Sequence, residues 1–109
     1  MMIERFFSPK EANELLPRIK EIVCEIIDKS NDPKISEERI KALMSQLEEL
    51  GCFYKDWSFE IGLVDFPAII HGREAMLCWR SDEPRVEWFH GFDDGYAGRR
   101  PITRELIFS

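Results

Sequence analysis

Histidine and cysteine are scarce in this chain, and their scarcity narrows its chemistry before any pattern is read. The 109 residues include two histidines, His71 and His90, and three cysteines, Cys24, Cys52 and Cys78, never as Cys-x-x-Cys. An odd, widely spaced set of thiols argues against a disulfide framework and a cysteine zinc site, and suits a reducing cytoplasm. No apolar run approaches the roughly 20 residues that span a bilayer. Met1–Phe7 lacks the long apolar core of a secretion signal, so a cytoplasmic location is expected. There is no Gly-Lys-Ser/Thr phosphate loop, no spaced Gly-x-Gly-x-x-Gly and no RNP-like aromatic motif, which removes the common nucleotide and RNA signatures. Internal repeats, low-complexity stretches and long linkers are missing too.

Lysine is absent from the last third. Residues 72–109 carry six basic residues, all arginine: Arg73, Arg80, Arg85, Arg99, Arg100 and Arg104. Arginine without lysine favours planar, bidentate pairing over simple solvation, with internal carboxylates or an anionic ligand as partner. The whole chain has a net charge of −6, which disfavours nucleic acid and anionic membrane as partners. A hydrophobic fraction of 44% with 33% charged residues is that of a folded globular chain, and the length fits one domain, 1–109.

What is present begins with a helix signal. Ser8 can cap, Pro9 sits where a missing N–H costs nothing, and Glu11 can close a capping box, with Phe7 as a staple. The helix is expected to run to about Lys29 and to bury Leu15, Leu16, Ile19, Ile22, Val23, Ile26 and Ile27. Pro17 removes one backbone bond inside it, so a kink near Asn13–Pro17 is expected. Asn31-Asp32-Pro33 is a break. A second helix opens at Ser36, carries Ile40, Leu43, Met44, Leu47 and Leu50, and ends at Gly51, a natural left-handed cap. Residues 1–51 therefore read as an antiparallel helical hairpin.

From Cys52 the texture turns to β. Ile70-His71-Gly72-Arg73 has the form of a tight hairpin, with His-Gly in place of Asn-Gly. That turn sets Ala68 opposite Ala75, Phe66 opposite Leu77 and Val64 opposite Trp79. A second turn at Asp82–Arg85 leads into a strand over Val86–His90. Alternation then sorts the residues. Val64, Phe66, Ala68, Ile70, Ala75, Leu77, Trp79 and Phe89 face the helices. Asp65, Glu74, Met76, Cys78, Arg80, Trp88 and His90 form a mixed second face. The expected fold is α+β, a helical hairpin on three or four antiparallel strands, with residues 52–109 as the β-rich part.

The mixed face carries the candidate chemistry. Asp65 and Arg80 lie diagonally across the strand pair, within reach of an ion pair that is either structural or part of a site. His90, near Asp93 and Asp94, could transfer a proton or bind a metal. With one well-placed histidine no metal site is expected, and a hydrogen-bonded structural role is the commoner one. Gly95-Tyr96-Ala97-Gly98-Arg99-Arg100 could present backbone N–H groups and guanidinium groups to an anion, or tie itself down internally. Cys78 reads as a buried, inert thiol. Phe53, Tyr54, Trp57, Phe59, Trp88, Phe92 and Tyr96 lack the basic surround that base stacking requires.

Several uncommon words occur in order: Ser8-Pro9-Lys10-Glu11-Ala12-Asn13 with Leu15-Leu16-Pro17, Leu50-Gly51, Lys55-Asp56, Gly62–Ala68, Gly72-Arg73-Glu74, Leu77–Arg80, Trp88–His90 and Gly95–Arg99. Together they resemble a family of small prokaryotic proteins catalogued as domain of unknown function 2203. The resemblance implies no activity. The positions matching its motifs are Asp65, Cys78, Trp79, Arg80, His90, Gly95, Gly98 and Arg99, and His71 stands where the family's turn looks more like Asp-Gly.

The functional expectation is a non-enzymatic binding or interaction module. Asp65, Arg80, His90, Arg99 and Arg100 would receive a small anionic ligand or a partner, and edge strands with an overwide apolar helix face point to a homodimer. The alternative is a small hydrolase-like enzyme using His90 with Asp65, Asp93 or Asp94, with or without a metal. No cofactor is identifiable from the sequence.

Overall fold

Ser8 and Glu11 close the capping box in both directions. The Ser8 hydroxyl accepts from the Glu11 N–H and the Glu11 carboxylate from the Ser8 N–H, each at 3.1 Å. These bonds and Arg5 hold the Glu11 carboxyl below the usual carboxylate range. They start helix α1 (Pro9–Ser30), which continues through Pro17. The computed structural model describes residues 3, 5–30, 37–55 and 61–103. The break at Asn31–Pro33 and the Ser36 cap lie outside the described residues, as do Asp56, Trp57, Phe59 and Arg104. Helix α2 spans Glu37–Leu50. It ends in a Schellman turn: the Cys52 N–H reaches the Leu47 carbonyl at 3.1 Å and the Gly51 N–H the Glu48 carbonyl at 2.9 Å, with Gly51 at φ 99°.

Five strands follow among the described residues: β1 (Phe53–Tyr54), β2 (Leu63–Ile70), β3 (Arg73–Arg80), β4 (Trp88–Gly91) and β5 (Arg100–Pro101), with a 3₁₀ turn at Tyr96–Gly98. They form one antiparallel meander in sequence order. The strand number exceeds the expected three or four because two-residue edges, too short for any periodicity, pair at each side. His71 and Gly72 both take positive φ, 50° and 77°, as a two-residue hairpin of type I′ requires. The expected register follows: Ala68 opposite Ala75, Phe66 opposite Leu77, Val64 opposite Trp79.

The apolar face is the one alternation selects. Val64, Phe66, Ala68, Ile70, Ala75, Leu77 and Trp79 share one buried cluster with Leu16, Ile19, Ile22, Val23 and Ile26 of α1 and Leu43 and Leu47 of α2. Leu15, Ile27, Ile40, Met44, Leu50 and Phe89 are only partly buried against it. Phe7 joins the core with its ring edge-on to Phe66, centroids 5.3 Å apart, and its N–H reaches the Pro67 carbonyl. Each large side chain fully withdrawn here contributes about 1.5–3 kcal/mol.

The fourth strand begins at Trp88, later than the expected Val86, because a side chain takes the place of a neighbouring strand. The Asn13 amide oxygen accepts from the Val86 N–H at 2.7 Å, and its NH₂ donates to the Val86 carbonyl at 3.1 Å. Val86 is thereby buried against α1 without entering the ladder.

Candidate functional site

The second face of the sheet carries the only buried polar or charged side chains among the described residues, Asp65 and His90, 5% and 3% exposed. They sit on β2 and β4 and meet across β3, with His90 Nε2 3.2 Å from Asp65 Oδ1. The other ring nitrogen, Nδ1, lies 2.9 Å from the Gly91 carbonyl. Both nitrogens thus face acceptors, so the ring holds both protons and donates from each. The Asp65 bond first, then the contact with Cys78, raises the His90 pKa to about 10 against the opposing effect of burial.

Cys78 completes the group. It is opposite Asp65 in the β2–β3 ladder, while Met76 is the residue opposite His90. Its sulfur, an Asp65 oxygen and a His90 nitrogen all lie within 4.8 Å of one another, and all three residues are buried. They line a cavity of about 340 Å³ with Met76, Leu63 and Lys55, and the loop after β4 supplies Phe92, Asp93, Gly95 and Tyr96.

The arginines are spent elsewhere. Arg80 stands diagonal to Asp65, as the register requires, but no Asp65–Arg80 ion pair forms. Its guanidinium grips Asp82 at 2.5 and 2.7 Å and the Tyr96 hydroxyl at 2.8 Å. An acid two residues away on the following turn is nearer than one across the ladder, and this contact pushes Arg80 up and Asp82 down in pKa. Arg99 binds Glu83 at 2.6 Å and the Cys78 carbonyl at 3.1 Å. Its guanidinium lies 5.0 Å from the Trp88 ring centroid and 4.9 Å from that of Tyr96. Arg100, opposite Phe89 in the ladder, lies over that ring at 5.1 Å and so belongs to the helix-facing side of the sheet. Adjacent arginines therefore part company across the pleat.

The loop is held by backbone proximity. Asp94 tucks its side chain against Gly91 and Gly98, where a Cβ at either position would collide with it. Asp93 lines the cavity while Asp94 lines a separate depression beside Arg100. Of the five expected ligand-binding residues, the structure brings Asp65 and His90 into one cavity. It leaves Arg80 and Arg99 in internal pairs and Arg100 on the other face.

Cys78 is the residue that sequence reasoning set aside, although its signal was available. The Ile70–Arg73 turn that pairs Phe66 with Leu77 also pairs Asp65 with Cys78. What the pattern could not supply was the reach of His90 across an intervening strand.

A model of a family of uncharacterized conserved proteins, DUF2203, matches residues 28–102. The chain belongs to the DUF2203 family. The match spans the last residues of α1, all of α2 and the whole sheet, including Asp65, Cys78 and His90. No curated protein and no solved structure matches the chain.

Proposed function

We propose that this DUF2203 protein is a binding module whose ligand enters the cavity over Asp65, Cys78 and His90. The observation that carries this reading is the placing of a buried acid, thiol and imidazole on the floor of a cavity with aromatic side chains at its margin. A ligand recognised through Arg80 and Arg99 is less well supported, because those groups already have partners. The hydrolase alternative needs His90 as a base or relay. A thiol–imidazole–carboxylate relay requires the acid on one ring nitrogen and the nucleophile on the other. Here one nitrogen faces Asp65 and the other the Gly91 carbonyl.

The test is an amide NMR titration of ¹⁵N-labelled protein with a fragment set of small carboxylates, phosphates, amides and phenols. Fragments that shift the amides of His90–Tyr96, and lose that effect in a Leu63→Trp variant, support the reading. A set in which no member at millimolar concentration shifts these amides would sink it.

We propose further that the protein self-associates as a homodimer. Ile61 and Ile69 are 40% and 48% exposed, and Phe92 and Tyr96 are comparably so. Light scattering at twice the chain mass, reverting to one chain in Ile69→Asp, supports this, and a monomer at all concentrations refutes it.

A further inference from the structure

We infer that the cavity is built around a site for a zinc-class divalent cation, held by Cys78 Sγ, His90 Nε2 and an Asp65 carboxylate oxygen. This rests on reading the cavity as the binding site and names what first occupies it. Thiolate, imidazole and carboxylate are the donors that tetrahedral zinc takes. Zinc with ligand bonds of roughly 2.0–2.3 Å holds its donors roughly 3.3–3.8 Å apart. The three donor atoms here lie within 4.8 Å of one another, and the nitrogen and oxygen are already at 3.2 Å. A shift of a few tenths of an ångström to about an ångström, within the reach of χ rotations, closes the set.

The surroundings are those of a ligand set rather than of an incidental polar contact. The three residues are each 5% exposed or less and come from three neighbouring strands, so a rigid scaffold sets their spacing. The bond between Nδ1 and the Gly91 carbonyl orients the ring so that Nε2 turns toward the other two donors, the usual outer support of a metal-bound histidine. A soft sulfur and an imidazole select against magnesium and calcium, which prefer all-oxygen sets. Three protein donors leave the fourth tetrahedral position to a water or an incoming ligand, on the side that opens to the cavity lined by Phe92 and Tyr96.

The experiment uses the full chain, dialysed against EDTA and titrated with zinc sulfate by calorimetry, with cobalt chloride in parallel. The expected result is one zinc per chain, no uptake of magnesium, and a cobalt adduct showing tetrahedral bands with a thiolate charge-transfer band. Cys78→Ser should abolish that band, and His90→Gln and Asp65→Asn should each weaken zinc about a hundredfold or more. Cys24→Ser, which removes the exposed thiol, should change nothing. Wild-type protein that stays folded and takes up no zinc overturns the inference. So do zinc binding that is lost in Cys24→Ser and a cobalt adduct without sulfur-derived bands. Because the wild-type cobalt spectrum decides by itself, variants that fail to fold do not rescue the proposal. Fragment-induced shifts without zinc uptake would remove the metal and leave the cavity reading standing. Zinc uptake without any fragment binding would do the reverse.

Discussion

His90 on β4 lies 3.2 Å from Asp65 on β2, an ion pair formed across the full width of the strand between them. Both partners are buried, so neither can be removed without leaving the other desolvated and without its counter-charge.

His90→Ala in the EDTA-treated protein should therefore cost about 3–5 kcal/mol of stability, measured by urea denaturation. Asp65→Ala should cost a similar amount.

The same pair sets a pH dependence. His90 is raised from 6.5 to about 10 by Asp65 and Cys78, so the folded state holds a proton that the unfolded chain releases. Its contribution is fully present below pH 6.5 and is lost as pH rises toward 10. Asp65, Cys78, Asp93 and Tyr96 are the titratable groups that share its cavity with Lys55. Urea midpoints of the metal-free protein should decline between pH 7 and 10, and the His90→Ala variant should lose this share of the decline. A wild-type midpoint that rises across the range contradicts the pairing.

Asn13→Ala should destabilise by about 1–3 kcal/mol, because it strands the Val86 N–H and carbonyl away from water. Asn13→Asp should not rescue, since a carboxylate would oppose the Val86 and Pro9 carbonyls that the amide now serves. Denaturation of the three proteins side by side checks both statements.

Gly51→Ala should cost about 1–2 kcal/mol from its positive φ alone. The added methyl would also press on Arg5 Cγ, 2.7 Å from the ideal Cβ position. Helix content by circular dichroism should persist while the thermal midpoint falls.

Thiol labelling should resolve the three cysteines. Cys24 is exposed and should react at once, whereas Cys52 and Cys78 are buried. Burial pushes the Cys52 thiol up to about 12, and its sulfur lies 3.3 Å from the Leu47 carbonyl, so it should stay unlabelled until denaturant is added. In Cys24→Ser the fast phase should vanish.

Local signals in the sequence determined most of the fold. A capping box, a glycine C-cap, a His-Gly hairpin and a period of two are set by residues a few positions apart, and each prescribed its element or register. The same logic separated Phe66 and Leu77 from Asp65 and Cys78. Only the tertiary structure decided which polar groups on the second face would meet. Arg80 was one diagonal from Asp65 on the ladder, yet the Asp82 turn and the Tyr96 hydroxyl captured it. His90 reached Asp65 across β3, although its ladder partner is Met76. Alternation assigns a side chain to a face, but the competition among charges on that face is settled by distances in three dimensions, which no periodicity encodes.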